Sequence, residues 1–299
     1  MAKIDKSQYT KEEWKLIREK RRQAKAKKVE QKPIEQPHRD KALQELSELG
    51  QEIESSENYH PHNPLVKGQN YVLCLKHGTK YSADYVNNLY SMVKRNLSIK
   101  HTFVCLTENT QGLHKDIMTL ALPDYLEGWW CKPYIYSADL PLNGTILYMD
   151  LDVVIAGPLD KLFTYREGEW CVIRDFTRAM QPNWEKYNSS VIRFGRGQLN
   201  HVWTEFNKDP KKVIGSHFGD QDWLWTAAKN TAVLWPDSWI RSYKWEIRKD
   251  KQLTAGVKGQ RRFINVESAV PEQDCCIAVF HGDPNPHNCE DPWVKANWK

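Results

Sequence analysis

The chain has 299 residues, of which 40% are hydrophobic and 11% aromatic, and its formal net charge is +5. This composition supports a folded core and excludes a disordered chain. No apolar run approaches the roughly 18 residues of a membrane span, and the amino terminus is charged where a signal peptide needs an apolar stretch. The sequence therefore predicts a cytoplasmic protein without a membrane span.

The seven cysteines are scattered and lack the CxxC pairs that zinc sites and redox motifs use. Cys74 and Cys105 each lie inside an apolar run, where a thiol behaves as a small hydrophobic group. Buried free thiols are therefore expected.

The positive charge is concentrated near the amino terminus. Residues 1–41 contain fourteen Lys and Arg and seven Asp and Glu. Thr10 and Glu13 form a capping-box signature, which predicts a helix over residues Thr10–Gln31. A second helix follows around Leu43 and ends near Gly50. Residues 1–64 are thus predicted to be a basic helical arm and linker. The arm is either solvated or binds an acidic partner such as nucleic acid.

The remaining residues, 65–299, are predicted to form one domain in which short apolar strands alternate with helices. This order is typical of a mostly parallel sheet flanked by helices. The predicted strands begin at Tyr71, His101, Ile117, Thr145, Glu169, Ser189 and Ile277, and the predicted helices cover about Ser82–Asn96, Leu199–Asn207 and Asp220–Ala228.

Asp150-Leu151-Asp152 ends an apolar strand and lies directly after ILYM in TILYMDLDVVI, the strongest strand candidate. Alternation along a strand places both carboxylates on one face, where they repel each other unless a cation neutralises them. Mg²⁺ and Mn²⁺ favour such oxygen ligands and can bridge to nucleotide phosphates. The alternative is a pair of strand-end aspartates that cap a loop or helix. The carboxyl end of a strand, however, is where open α/β sheets bind ligands.

His281 follows a carboxyl-terminal apolar strand, in a segment too rich in Pro and Gly to continue a helix or strand. Its imidazole can supply a ligand to the same ion. A histidine in this position can equally be a structural hydrogen-bonding residue.

An ordered series of segments resembles the GT-A glycosyltransferases, and in particular the family-8 type that includes the glycogenin and bacterial galactosyltransferase-like enzymes. The series covers about Tyr71 to Trp298 and leaves the arm outside the resemblance. Its segments are KHGTKYSADYVNNLY, WWCKPYIYS, YMDLDVVIAGPLDKLF, YNSSVIRF, GDQDWLW, VFHGDPNPH and DPW.

The resemblance implies an α/β GT-A domain that binds Mn²⁺ or Mg²⁺ through a DxD motif and takes its sugar from a nucleotide-sugar donor, with a UDP-sugar expected. It also assigns site residues by position. The implied metal ligands are Asp150, Asp152 and His281; the implied donor-binding residues are Lys76, Gly78, Tyr81, Lys132, Asp150, Asn188 and Asp220; and the implied catalytic residues are Gln221 and Asp220.

Several of these residues also have a simpler interpretation. Tyr81 can stack on the nucleotide base or pack at the start of a helix. Lys132 can offset phosphate charge or be an ordinary surface lysine, and Asp220 can act as the N-cap of the helix that begins there. The family pattern has a lysine where this chain has Asp291, so the expected cation is missing, and whether His287 or Lys295 substitutes is left open.

The predicted function is metal-dependent transfer of a hexose or pentose to an acceptor hydroxyl, and the family-8 resemblance favours retention of anomeric configuration. Two alternatives stay open. The DLD motif also fits a haloacid dehalogenase-type phosphatase, with a sugar-phosphate nucleotidyltransferase as a related rival. A nucleic-acid-binding or scaffold protein with an inactive transferase body is the alternative from another class.

Overall fold

The computed structural model describes residues 69–248, 252–254, 262–264 and 271–299. The helix predicted over Thr10–Gln31, the second helix near Leu43 and the linker that follows lie outside the described residues.

The domain is built around a seven-stranded sheet with the strand order β3-β2-β1-β4-β7-β6-β8. β1 runs parallel to both of its neighbours, β2 pairs parallel with β3, and β6 pairs parallel with β8. β7 is antiparallel to β4 and to β6. The strands of the described residues are β1 (Asn70–Lys76), β2 (Thr102–Thr107), β3 (Met118–Leu120), β4 (Thr145–Met149), β5 (Val153–Ile155), β6 (Cys171–Arg174), β7 (Tyr187–Gly195), β8 (Val233–Leu234), β9 (Ile240–Ser242), β10 (Gln252–Thr254), β11 (Arg262–Ile264) and β12 (Ile277–Val279).

Helices cover both faces of this sheet, which confirms the predicted α/β architecture. The α-helices of the described residues are α1 (Ala83–Asn96), α2 (Asp160–Thr164), α3 (Asn200–Lys208), α4 (Pro210–Ser216), α5 (Asp220–Ala228) and α6 (Pro292–Asn297). The 3-10 helices are Gly128–Tyr136, Phe176–Ala179 and Pro286–Asn288, and a π-helix spans Tyr243–Ile247.

Alternation along β1 divides the core into two layers. Val72 and Cys74 face α1 and the small sheet, whereas Leu73 faces the layer formed by the 3-10 helix Gly128–Tyr136, α3 and α5. α1 buries Tyr85, Val86, Leu89, Met92 and Val93 at helical spacing, as its apolar pattern predicts. All seven cysteines are buried and free, which confirms that prediction.

Asp150-Leu151-Asp152 follows the end of a strand, as predicted, but the run TILYMDLDVVI is not a single strand. β4 ends at Met149, and β5 belongs to a separate three-stranded sheet with the order β5-β12-β9. Asp150 is still tied to β7, because its N–H donates to Ser190 O over 2.8 Å. Asp152 already belongs to the small sheet, since Phe280 N–H donates to its carbonyl over 2.8 Å. Asp150-Leu151-Asp152 is therefore the bend between two sheets.

Among the described residues, no helix is both long enough and apolar enough to cross a membrane.

Candidate active site

The bend at Asp150–Asp152 lies at the carboxyl edge of the parallel part of the large sheet. β1 and β4 run parallel, so Lys76, the last residue of β1, and Asp150, which follows β4, lie at the same edge. Leu151 is buried in the core and anchors the bend between the two carboxylates. Lys132 of the 3-10 helix Gly128–Tyr136, Asp220 of α5 and Tyr81 of the loop after β1 contact the two carboxylates or each other at this edge.

Lys132 links the bend to the start of α5. Its Nζ lies 2.8 Å from Asp150 Oδ1 and 3.3 Å from Asp220 Oδ2, and it donates to Ser189 Oγ over 3.2 Å. Burial alone would lower the pKa of Lys132, but the carboxylates of Asp150 and Asp220 outweigh it and the pKa is raised. Lys132 is thus a buried, charged lysine and not an ordinary surface residue.

Asp220 does not act as the N-cap of α5. Gly219 is the N-cap, and the Asp220 carboxylate instead accepts a hydrogen bond from Ser189 Oγ over 2.7 Å and pairs with Lys132. The capping interpretation is therefore wrong: the carboxylate is turned toward the site.

The carboxylate of Asp152 is held in place by Tyr81, which lies between β1 and α1. Tyr81 donates its hydroxyl to Asp152 Oδ2 over 3.0 Å, and the ring of Tyr81 packs on Tyr85 at a centroid distance of 4.6 Å. Burial, and then the negative charge of Asp150, raises the pKa of the Asp152 carboxyl to about 6. Burial and the neighbouring Asp150 carboxylate therefore both disfavour the charged form of Asp152.

A divalent cation is implied by this chemistry, and the two carboxylates fit one. Asp150 Oδ1 is engaged by Lys132 and by the Tyr148 hydroxyl at 2.7 Å, and Asp152 Oδ2 is engaged by Tyr81. The second oxygen of each carboxylate, Asp150 Oδ2 and Asp152 Oδ1, accepts no hydrogen bond from any residue that the structure describes. Two carboxylate oxygens are therefore available to a hard cation.

His281 is near the bend in the chain but its ring is engaged elsewhere. Phe280, the preceding residue, is hydrogen-bonded to the Asp152 backbone. The His281 Nε2 lies 2.6 Å from Ser242 Oγ, and the ring stacks on Phe176 at 5.6 Å. Within the described ranges, no group of three His, Cys, Asp or Glu side chains is arranged to hold a metal ion. The structure brings Asp150 and Asp152 together and leaves His281 bonded to Ser242.

Gln221 is fixed in one orientation by hydrogen bonds on both ends of its amide. Its Oε1 accepts from Asn188 Nδ2 over 2.9 Å and from Ser189 N–H over 3.4 Å. Its Nε2 donates to Asp175 Oδ2 over 2.8 Å. Asn188 and Gln221 thus lie in one network, whose third member, Asp175, was not predicted from the sequence.

The end of β1 and the loop that follows it contain two further predicted residues, Lys76 and Gly78. Gly78 has a φ of +65°, a conformation that favours glycine, and its N–H donates to Glu108 Oε1 over 2.6 Å. The side chain of Lys76 is buried and forms no hydrogen bond or ion pair with the residues that the structure describes. Lys76 lies at the carboxyl edge of the parallel strands, the edge where α/β sheets bind ligands.

The two residues considered as substitutes for the missing family lysine are engaged outside the bend. His287 Nδ1 is hydrogen-bonded to the Tyr85 hydroxyl. Lys295 pairs with Glu290 on the surface, and Asp291 accepts a hydrogen bond from the Tyr243 hydroxyl over 2.8 Å.

Two aromatic side chains are exposed beside this site. Trp129 is 57% exposed and Phe218 is 96% exposed, and they are the exposed large hydrophobic residues of the part of the chain that the structure describes. The Trp129 indole lies against Gly219, the N-cap of α5, so both rings border the residues around Asp220. Trp129 is therefore not a core residue.

No family model matches the sequence, and no curated protein matches it. Solved structures do match. The galactosyltransferase LgtC, in a complex with donor and acceptor sugar analogues, aligns with a TM-score of 0.52 and 12% identity over 76% of this chain and 93% of LgtC. The glycosyltransferase GlyE of Streptococcus pneumoniae TIGR4 aligns with a TM-score of 0.52 and 13% identity over 73% of this chain and 57% of GlyE. The chain has the GT-A glycosyltransferase fold.

At 12 to 13% identity this likeness concerns the fold alone. In this GT-A domain the Asp150–Asp152 bend joins the large sheet to the small one, at the carboxyl edge where α/β sheets bind ligands. The assignment of function depends on the chemistry of that edge, because one fold hosts many functions.

Proposed function

We propose that the protein is a metal-dependent glycosyltransferase that moves a sugar from a nucleotide-sugar donor, expected to be a UDP-sugar, to an acceptor hydroxyl. The observation that carries the proposal is the bend at Asp150–Asp152, whose carboxylates are partly unsatisfied and lie beside the Lys132–Asp220 pair at the carboxyl edge of a GT-A sheet. Nucleotide-sugar chemistry needs a cation site and a sugar site next to each other, and the nearness of the two carboxylates to the Lys132–Asp220 pair supports this proposal.

In this proposal Asp150 and Asp152 hold Mn²⁺ or Mg²⁺, which supplies Lewis-acid stabilisation of the departing diphosphate. Tyr81 and Lys132 hold the two carboxylates in position through their contacts with Asp152 and Asp150. His281 can bind the cation only if its ring breaks the hydrogen bond with Ser242. We therefore assign the protein ligands of the cation to the two carboxylates.

The donor sugar is proposed to lie between Lys132 and the amide network of Asn188 and Gln221, with Asp220 at the junction. These groups are neutral amides or paired charges, and sugar hydroxyls are recognised by such fixed donors and acceptors. Lys76, at the end of β1, and Gly78, in the loop that follows, are proposed to bind the nucleoside and its phosphates.

Retention is the stereochemical course that this arrangement favours. An inverting transferase needs a carboxylate or histidine positioned as a general base. The Asp220 carboxylate is bound by Lys132 and by Ser189, and Gln221 carries no basic group. The anomeric configuration of the transferred sugar, read by proton NMR, is expected to match that of the donor.

Hydrolysis of a panel of nucleotide sugars tests the proposal. We expect Mn²⁺-dependent release of a nucleoside diphosphate from one donor by the wild type. Asp152→Asn is expected to reduce the rate by about 100-fold or more, because one of the two charged metal ligands is lost. The surface variant Asp274→Asn serves as the matched control and should retain the wild-type rate.

Failure of the wild type to release or bind any nucleoside diphosphate, together with hydrolysis of a generic phosphomonoester, would favour the haloacid dehalogenase-type alternative. That alternative places its nucleophile after the first strand of the domain, whereas Asp150 follows β4. The order of the strands therefore supports the transferase.

A further inference from the structure

We propose that Lys244 binds the diphosphate of the donor and stabilises the negative charge that departs with it. The inference rests on the proposed function and adds a residue that the sequence pattern does not assign. It replaces the cation that the family pattern places at the position of Asp291.

Lys244 belongs to the π-helix Tyr243–Ile247, which follows β9. Its Nζ donates to the carbonyl of His281 over 3.0 Å. A Cβ on Gly282 would lie 2.9 Å from the same nitrogen, so the ammonium group occupies the space that a side chain at this position would need. Lys244 is therefore packed against the segment that follows β12.

This packing brings Lys244 to the metal-binding edge. β12 pairs with β5, and Phe280 N–H donates to Asp152 O, so the segment at His281 lies directly beside the bend. Burial lowers the pKa of Lys244 below its usual value, and the carboxylate of Asp283 opposes this effect only in part. An anion that binds beside the ammonium group would favour its charged form.

The charge balance at this edge indicates what Lys244 binds. Lys132 is already paired with two carboxylates, whereas Lys244 forms no ion pair within 4.0 Å among the residues that the structure describes. Its contact with the His281 carbonyl uses one of the three ammonium protons. A divalent cation on Asp152 and the ammonium of Lys244 would flank the same volume, and a diphosphate is the donor group that satisfies both.

The local structure keeps the ammonium in this position. Tyr243 stacks on Phe280 at a centroid distance of 4.2 Å, and Ser242 caps the π-helix through Trp245 N–H while its hydroxyl also contacts His281. The backbone on both sides of Lys244 is therefore fixed to the β12 segment. A lysine held in this way loses little freedom when it binds a phosphate oxygen.

Equilibrium binding of UDP and of uridine, each measured by calorimetry with Mn²⁺ present, tests the inference. We expect Lys244→Met to weaken UDP binding by about 10- to 100-fold, the loss typical of a hydrogen bond to a charged group. Uridine binding should not change, because the nucleoside does not reach Lys244. Lys244→Arg keeps the charge and should retain most of the preference for UDP over uridine.

Two further variants give the test its controls. Lys208→Met removes an exposed lysine that pairs with Glu205 and should leave both affinities unchanged. Lys295→Met tests the rival position near Asp291 and should also leave them unchanged. Lys244→Gln, which keeps a donor for the His281 carbonyl, replaces Lys244→Met if the latter does not fold by thermal melting.

Equal UDP affinity in wild type and in the neutral Lys244 variant would overturn the inference and leave the proposed function intact. Loss of UDP binding in Lys295→Met alone would assign the phosphate to the other position and overturn it too. The proposed function itself fails if the wild type binds UDP no more tightly than uridine and GDP no more tightly than guanosine. The inference then fails with it.

Discussion

At the scale of single residues, Lys132 is the group that keeps the carboxylates of the site together. Its side chain is 10% exposed and those of Asp150 and Asp220 are 23% and 14% exposed, so the three charges interact with little screening by solvent. Removing one member of a buried ion pair leaves the other charge without a partner. This loss destabilises the fold by more than the intact pair stabilises it.

Lys132→Met is therefore expected to lower the free energy of unfolding by about 3 kcal/mol, because Asp150 and Asp220 lose their counter-ion. Urea denaturation measures this change. Adding Asp220→Asn should recover part of it, since one of the two stranded charges is removed. The exposed pair of Lys208 and Glu205 supplies the control, where Lys208→Met should cost at most about 0.5 kcal/mol. A Lys132→Met protein as stable as the wild type would contradict the role of this lysine.

The orientation of Gln221 is a second residue-scale feature that can be tested. Gln221→Glu replaces the Nε2 that donates to Asp175 by an oxygen, so two carboxyl groups would meet at 2.8 Å. We expect donor hydrolysis to fall by about 100-fold, the loss typical of a site group displaced by about 1 Å. The double variant Gln221→Glu with Asp175→Asn restores a donor opposite the new carboxylate and should recover activity. No recovery would show that the orientation set by Asp175 is not what matters.

The individual site residues could be predicted only where a local signal exists. Asp150 and Asp152 follow an apolar run, and Asp220 and Gln221 open a helix, so the sequence separates them from ordinary loop residues. The partners of these residues have no such signal. Asp175, Ser189 and Lys244 are brought to the edge by strand pairing and by the π-helix, and no spacing along the chain predicts those contacts.

At the scale of elements, apolar periodicity predicted the strands and helices well. Buried strands such as β1, β2 and β7 are short apolar runs, and α1 and α5 begin where their sequences predict. The break between β4 and β5 was missed because Leu151 continues the apolar alternation. The chain leaves the large sheet there to pair with β12, and this non-local pairing overrides the local pattern.

The contact between the segment that follows α1 and the first residue of α2 leads to a prediction about how stability depends on pH. Asp160, the first residue of α2, accepts hydrogen bonds from the Ser98 hydroxyl and from the N–H groups of Ser98 and Ile99. Burial raises the pKa of Asp160, but these hydrogen bonds outweigh it and the pKa lies below its usual value of 3.8. The carboxylate therefore stabilises the fold above about pH 4, and this contribution is lost as the pH falls through the lowered pKa.

We accordingly expect wild type to be more stable than Asp160→Asn at pH 7, with the difference shrinking below about pH 4 as the carboxyl group is protonated. Denaturant unfolding at a series of pH values measures it. Ser98→Ala removes the hydroxyl donor and should reduce the size of the effect. A stability difference that is constant with pH would contradict the assigned hydrogen bonds.

At the scale of the whole molecule, the fold could be predicted from the order of the elements, and solved GT-A structures align with 73 to 76% of the chain. The acceptor could not be predicted, because acceptor sites are built from loops that differ between proteins of one fold. Here the exposed rings of Trp129 and Phe218 lie beside the start of α5, and neither has a sequence signal that distinguishes it from the buried aromatic residues.

The central claim is that the carboxylates of Asp150 and Asp152 bind a divalent cation together with a nucleoside diphosphate. Calorimetric titration of UDP into the wild type, once with Mn²⁺ and once with EDTA, tests it most directly. We predict that Mn²⁺ tightens UDP binding by about tenfold or more, and that this gain is lost when both residues are replaced by asparagine. Equal affinity for UDP in Mn²⁺ and in EDTA, in the wild type as in the double variant, would contradict the claim.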